Sequence, residues 1–524
     1  MKAIKHYKYS LLICSVLFFS GGCDQDFVEV NTNPYAVVEI DPALLFAGAQ
    51  RSHVGTWAAE HTIVQQFVIP SNQGATLGFS LNADIDGNSN PKWDQSYGGA
   101  VRSLVQALEL IGDDPTRNNL RSMVRIWKAQ VFMGLVDAYG NVPYTDAGKA
   151  VTDLIYYPEY VDGAAIYDDL YTEITQALAE LDPAGDFVSA DIFYGSNAEN
   201  STSTPADQVV KWKKLGNSLL LRLGMRYSKV NPSIAASIVA EAFAGGVMTS
   251  NADNAYIKYD GSRYVLTENN NLRNFSAQNY AAEPFVEQLK STNDPRGKYI
   301  LAAYADPGAV ATSPADTILA NQFGVPIGVI DTEITAEGSP YRGKRGTGLN
   351  YSQMNGSAIA SPAAPEFYVT YAQTSLLLAE ARQRDWITTG SAEAYYEDAI
   401  RADMENYDLY PGTIAITPSE MDTYLSDPLV DFSLAATDEE IFELINTQYW
   451  IVNIRNGTEA FANFRRSGYP ALEPNLYNND LNGGFVRRLS YPDREASVNT
   501  ENYLAASDAM GGDNLVSRVF WDVP

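Results

Sequence analysis

Apolar residues recurring at helical spacing, interrupted and resumed in pairs, constrain this 524-residue chain more than any single motif. The pattern runs over Pro42 to Phe67, Asp94 to Ile111, Asn118 to Tyr139, Gly163 to Leu181, Gln208 to Lys229 and Pro232 to Ala244. It returns at Glu366 to Trp386, Ser391 to Tyr407 and Asp438 to Asn453. A helix with one apolar stripe must bury that stripe against another element, so a mainly α protein built from helix pairs is expected.

Antiparallel pairs that each cover the next would form a tetratricopeptide-like superhelix with a concave surface. No clean 34-residue consensus is visible in the sequence. Between about Val247 and Ala360 the periodicity weakens and Gly, Asn, Pro, Ser and Tyr become frequent, with only short helices such as Pro284 to Lys290 secure. Loops of that length in a compact protein are commonly functional, and their aromatics would be out of place in a disordered tail. The stretch after Asn453, rich in Asn, Tyr and Gly, reads as irregular too.

The first 23 residues read as an export signal ending in a lipidated cysteine. Lys2, Lys5 and Lys8 make a cationic start, Leu11 to Phe19 an apolar run, and Ser20-Gly21-Gly22 a small-residue approach to Cys23. The run is far short of the roughly 20 residues that span a bilayer. Acylation of Cys23 would anchor the mature chain without a spanning helix, each buried methylene contributing about 0.8 kcal/mol. Asp24 to Asp41, with Asn31-Thr32-Asn33-Pro34, then serves as a tether.

Losing the three leader lysines takes the net charge from −28 to −31, which argues against nucleic acid or anionic lipid headgroups as partners. Cys14 departs with the leader and Cys23 carries lipid, leaving no disulfide and no thiolate metal site. His53 and His61, eight positions apart, fall about 80° from each other on a helix and read as polar helix residues. A zinc centre, a cysteine nucleophile and a Ser-His-Asp triad are therefore not expected, and no cofactor is required.

Tyrosine leads the aromatics, 33 against 20 phenylalanines and 7 tryptophans, and such amphipathic rings suit sugar or peptide contacts. Binding a neutral glycan takes flat aromatic faces together with hydrogen-bonding side chains. Outside the secure helices that mixture occurs at Asn82, Asp84, Trp93 and Tyr97, at Tyr259, Arg263 and Tyr264, and at Tyr341, Arg342 and Tyr351. Trp93 and Tyr97 also stand at a helix start, where core packing competes with ligand contact. Asp84, Asp86 and Asn88 place oxygens at alternate positions as a calcium loop does, but the turn glycine is missing and Gln95 stands where the bidentate glutamate belongs. Gly338 to Lys344 fits the spacing of a phosphate-binding loop, yet Arg345 follows and Pro340 lies inside it, so a surface turn is expected.

Several segments, in order, resemble the SusD/RagB family of outer-membrane nutrient-binding lipoproteins. They are Val30-Asn31-Thr32-Asn33-Pro34, Leu135 to Tyr144 (LVDAYGNVPY), Trp212 to Leu223 (WKKLGNSLLLRL), Asn293-Asp294-Pro295-Arg296 and Leu378-Ala379-Glu380-Ala381. Gln448-Tyr449-Trp450, Phe464 to Pro470 (FRRSGYP), Arg487 to Pro492 (RRLSYP) and Trp521-Asp522-Val523 complete the set. Most of these read physically as scaffold: Gly140 ends a helix, Asn217 and Arg222 satisfy neighbouring backbone, and Arg465 and Arg466 pin loops or acids.

The resemblance implies a leader 1–22, a tether 23–41 and a SusD-like domain 42–524. Within that domain, helical repeats of four tetratricopeptide-like pairs would occupy mainly 42–246 and 361–455. A loop-rich ligand subdomain would occupy mainly 247–360 together with the 456–524 end. It further implies a non-enzymatic, surface-exposed lipoprotein that captures oligosaccharide, or in some members peptide, as a lid on a SusC-like TonB-dependent transporter, the repeats facing that transporter. Two other classes stay open on residues alone: a helical surface glycosidase using two carboxylates about 5 to 9 Å apart, and a helical-repeat adaptor for proteins.

Overall fold

Several helices begin where a side-chain oxygen reaches backbone N–H groups that have no partner within the helix. Thr204 accepts from the Asp207 N–H ahead of Pro205–Arg226, Asn231 from Ile234 ahead of Pro232–Gly245, and Ser391 from Ala394 ahead of Ala392–Asn406. Thr370 accepts from the Gln373 N–H while the Gln373 side chain accepts from the Thr370 N–H at 3.1 Å, a reciprocal cap that starts Tyr371–Gln383. Pro205 and Pro232 occupy first-turn positions where a missing N–H costs nothing.

These coordinates come from a computed structural model describing residues 40–52, 58–70, 82–264, 266, 269, 279–476, 481 and 483–524. The leader, Cys23, tether residues 24–39 and His53 lie outside the described residues. The chain is 51% helix and 6% strand, and among the described residues no helix is long and apolar enough to cross a membrane.

Four helix pairs dominate. Pro42–Ser52 packs on Arg102–Ile111, Asn118–Tyr139 on Gly163–Glu180, Pro205–Arg226 on Pro232–Gly245, and Tyr371–Gln383 on Ala392–Asn406. Each pair touches the next, so the stripes are buried in sequence as in a tetratricopeptide-like superhelix. Asp438–Val452 then packs on Tyr371–Gln383, and Gly457–Ser467 folds back onto Asn118–Tyr139 and Ala58–Ile63.

The loop-rich part is organised by a small sheet in the order Phe67–Val68, Tyr280–Ala281, Gln353–Met354, Leu301–Tyr304 and Ala315–Asp316. Every pairing in it is antiparallel. Its strands come from segments far apart in the chain, which explains why no alternating pattern marked it.

The structure corrects several helix boundaries. Of the expected helix over Pro42 to Phe67, Pro42–Ser52 and Ala58–Ile63 are helical, and Phe67 stands in a strand. The one expected from Asp94 starts earlier, at Asp86, tolerates Pro91, and passes through a π-helical turn, Ser96–Val101, before Arg102–Ile111. Glu366–Val369 is a strand paired with Ala255–Ile257; Thr370 caps the helix only after it. The stretch beyond Asn453 is less irregular than expected, because Gly457–Ser467 and Thr500–Ala509 are helical. Gly457–Ser467 carries the buried Phe461, Arg465 and Arg466, whose charges masked a core helix.

Candidate functional site

The segment 319–354 places ring, guanidinium and backbone polar groups together at the surface. Lys344–Arg345 pairs with Gly348–Leu349 as a hairpin whose turn holds Gly346 at φ 58, a left-handed position glycine adopts without strain. Asp306 clamps that turn: its Oδ1 accepts from the Thr347 N–H at 2.7 Å and the Thr347 hydroxyl at 2.8 Å. Those two bonds hold the Asp306 carboxyl below its usual range. No helix follows Gly338 to Lys344, in keeping with a surface turn.

Arg342 is positioned from both ends. Its backbone N–H donates to the Tyr351 hydroxyl at 3.2 Å and its Nε to the Asn350 carbonyl at 3.0 Å. The guanidinium carbon then lies 3.6 Å from the centre of the Phe323 ring. Phe323 is 37% exposed, and Lys290 Nζ stands 4.7 Å from the same ring. Ser352 fixes the ring's backbone, donating its N–H to the Phe323 carbonyl at 2.8 Å and accepting the Phe323 N–H on Oγ at 2.9 Å. The terminal nitrogens of Arg342 bond no described residue, so a flat, cationic, donor-bearing face is presented beside an apolar ring. Such a pairing offers N–H donors for hydroxyls, with the uncovered part of the ring as apolar surface.

Tyr341 and Tyr351 support this surface from beneath. Tyr351 is buried with Val68, Tyr280, Ile334 and Leu349, and Tyr341 packs half-buried against that group with Ile327. Asn82 lies next door, because Val68 and Ile327 also line a small cavity with Gln65, Asn82 and Asn475. Asn82 is buried and donates Nδ2 to the Asn475 carbonyl at 2.7 Å. Gln65 donates Nε2 to the Glu473 carbonyl at 2.7 Å and leaves its buried Oε1 without a partner among the described residues. The structure thus brings Tyr341, Arg342 and Tyr351 together and adds Phe323; Asn82 and Tyr351 are buried supports, which corrects the expectation that they would meet ligand directly.

Tyr259, Arg263 and Tyr264 form a separate corner. Tyr259 is buried, donates its hydroxyl to Glu366 Oε2 at 3.1 Å, and stacks on Tyr264 with ring centres 5.1 Å apart. Arg51 caps the Tyr264 ring at 4.5 Å. Asp260 accepts the N–H groups of Ser262, Arg263 and Tyr264, which hold its carboxyl down to about 2. Arg263 is exposed here and Tyr264 half-buried between Tyr259 and Arg51; Tyr259 is a buried support, which corrects the expectation that it would meet ligand directly.

Trp93 is corrected more sharply. It is 3% exposed and surrounded by Tyr97, Tyr139, Tyr491 and Tyr160 at ring-centre distances of 4.8, 5.2, 5.7 and 6.0 Å, so it offers no face to a ligand. Tyr97 donates its hydroxyl to the Pro143 carbonyl at 2.7 Å. Asp84 accepts from the Ser490 hydroxyl at 2.6 Å, and burial pushes its carboxyl up.

The calcium pattern does not assemble. Asp86 and Asn88 lie in the helix Asp86–Gln95, where two positions are roughly 200° apart. Asp86 Oδ1 is already taken by the Asp493 N–H at 2.9 Å. Among the described residues no group of three His, Cys, Asp or Glu is placed to hold a metal ion.

Phe323 and Arg51 escaped the sequence reading. Phe323 stands in the short run Asn321-Gln322-Phe323-Gly324-Val325-Pro326, whose Gly and Pro marked a loop with a lone ring. Arg51 sat inside an expected helix, with nothing local to pair it with a tyrosine over 200 residues away.

Comparison with known proteins agrees with this architecture. A chitin-binding protein of known structure superposes with a TM-score of 0.75 at 26% identity, covering 92% of this chain and all of that one. A Bacteroidetes AC2a SusD-like protein gives 0.78 at 26%, covering 93% and 100%. A chitin-binding SusD homologue from Flavobacterium johnsoniae gives 0.71 at 21%, covering 92% and 98%. A search of curated protein sequences returns no match. The SusD-like family model, described as starch-binding and associating with the outer membrane, matches residues 34–492, and the chain belongs to that family.

Proposed function

We propose that this protein is a non-enzymatic surface lipoprotein that captures an oligosaccharide and passes it to a SusC-like TonB-dependent transporter in the outer membrane. Lipid on Cys23 anchors it, and the Phe323–Arg342 surface, backed by the half-buried Tyr341, carries the ligand. The observation supporting this reading most is the match to a glycan-binding, outer-membrane family along 34–492, with a 26% identical chitin-binding protein superposing over its whole length. A stacked guanidinium and ring at the surface adds chemistry suited to a neutral glycan.

Affinity should be modest. One partly exposed platform contributes little after ordering losses, and a delivered ligand has to be released. Calorimetry of residues 24–524 with chito-oligosaccharides and malto-oligosaccharides, followed by chromatography of the recovered sugars, tests the proposal. Retention of one class with its chain length unchanged supports it; shortened chains, or binding of oligopeptides alone, would sink it.

A further inference from the structure

Where the end of the Pro205–Arg226 helix meets the segment 515–522, the surface collects cations, against the trend of a chain with net charge −28. Tyr227 lays its ring against Phe520 with centres 5.6 Å apart, and Ser228 Oγ accepts from Arg466 Nη1 at 3.4 Å, which sets Lys229 beside that segment. Arg487 joins from a third part of the chain, its backbone N–H donating to the Leu515 carbonyl at 2.7 Å. Lys229 and Arg518 are exposed and Arg487 is partly so.

A single buried carboxylate holds both guanidiniums. Asp522 accepts Arg487 Nε on Oδ2 at 2.8 Å and Arg518 Nη1 on Oδ1 at 2.8 Å, and Arg487 Nη2 also reaches Oδ1. Trp521 Nε1 donates to Asp137 Oδ1 at 2.9 Å and Arg465 Nη1 to the Arg487 carbonyl at 2.8 Å, so both segments are fixed from the core. These bonds use only part of the donor set: Arg487 Nη1, Arg518 Nε and Nη2 and the Lys229 ammonium bond no described residue. The other acids at this edge are engaged, Asp168 by the Tyr227 hydroxyl at 3.2 Å, Asp513 by the buried Arg488, and Glu380 by Arg466 and Arg384. Partial desolvation, and then Arg466, Arg487 and Arg518 against Asp522, hold the Lys229 ammonium below its usual range.

Cations held together with one counter-charge between them repel each other, and a bound anion relieves that repulsion. Guanidinium forks match oxyanions through paired N–H groups, and an ammonium adds a point charge. A tetrahedral oxyanion carries enough oxygens for all three side chains, whereas a polyanion would meet the negative remainder of the molecule. Val230 and Val516, 40% and 46% exposed, stand beside Lys229 and near Arg518 in the chain and offer apolar surface to whatever body bears the anion. We infer that Lys229, Arg487 and Arg518 form a binding site for a single phosphate or sulfate group, free or as an ester on a small molecule. The site is separate from the Phe323–Arg342 surface and does not depend on the capture role.

Calorimetry of the full chain at low ionic strength, with inorganic phosphate, inorganic sulfate, glucose 6-phosphate and galactose 6-sulfate as titrants, tests the site. Saturable binding of a single equivalent, weakened by added sodium chloride, is expected. Lys229→Met and Arg518→Gln should each cut affinity about tenfold, the scale of a lost hydrogen bond to a charged group. Lys258→Met, at an exposed lysine paired elsewhere with Glu199, should leave it unchanged. Lys229→Met should also raise the melting temperature in anion-free buffer, because it removes a repelled charge, and abolish the further rise that phosphate gives the unaltered chain. Tighter binding of the esters than of the free ions assigns an ester as ligand, and equal binding assigns the free ion. No saturable binding of any titrant, or affinity unchanged in both Lys229→Met and Arg518→Gln, overturns the site.

Discussion

Arg466 and Glu380 meet as a two-pronged pair, Nη1 donating to Oε1 and Nη2 to Oε2, each at 2.7 Å and both side chains buried. The pair joins Gly457–Ser467 to Tyr371–Gln383, and Arg384 adds a second guanidinium at 2.9 Å. Burial alone would raise the Glu380 carboxyl, but Arg466 and then Arg384 outweigh it and hold it at about 2.

Glu380→Gln should therefore cost about 3–5 kcal/mol, because Arg466 keeps a buried charge with no counter-charge. Denaturant unfolding measures it directly. The same carboxylate stabilises fully above its unfolded value near 4.5, and that stabilisation disappears as pH falls from there through about 2. The variant should lose this slope.

His61 should give a second slope at higher pH. It is fully buried, bonded through Nδ1 to Gln66, and its Nε2 has no partner among the described residues. Burial lowers its folded value to about 4 from 6.5. The unfolded chain thus binds a proton the native state refuses, and stability should fall by about 3 kcal/mol as pH drops from 6.5 to 4. His61→Gln should flatten the melting-temperature profile in that window and leave the lower one.

Trp93→Ala should empty a core site among four tyrosines and cost about 3–5 kcal/mol. A fall of several degrees in melting temperature checks it. An unchanged melting temperature with weakened glycan retention would restore Trp93 as a ligand platform.

Phe323→Ala and Arg342→Ala should each weaken glycan retention several-fold, on the scale of about 1 kcal/mol for a cation–ring contact with partial exposure. Melting temperature should hold steady, since both side chains are largely outside the core. Calorimetry on the best-retained oligosaccharide decides, and unchanged affinity in both would move the site to the Arg263–Tyr264 corner.

Cys23→Ala should move the protein from the membrane fraction to the soluble one without altering its unfolding curve. Fractionation with immunoblotting, and mass spectrometry of the amino terminus, read the outcome.

The candidate residues show where local reading stops. Arg342, Tyr341 and Tyr351 were visible because they crowd into one loop, and tertiary structure keeps them together. Trp93 has the same local signature, an aromatic beside polar residues, yet Tyr491 and Tyr160 cover it from segments far away. Phe323 has the weakest signature and ends up exposed. Residue type does not encode exposure when the covering residues come from the opposite end of the chain.

Helix pairing was readable from sequence because apolar spacing and caps act within a few residues, and each stripe demands a neighbour. Family membership was readable too, since its motifs are contiguous scaffold segments such as LVDAYGNVPY and FRRSGYP. Only the folded chain decided that Glu380 would neutralise Arg466, that five short strands from dispersed loops would form one sheet, and that Phe323 rather than Trp93 would meet solvent. Those outcomes depend on contacts between residues tens to hundreds of positions apart, where burial and charge pairing are properties of the assembled core and not of any segment.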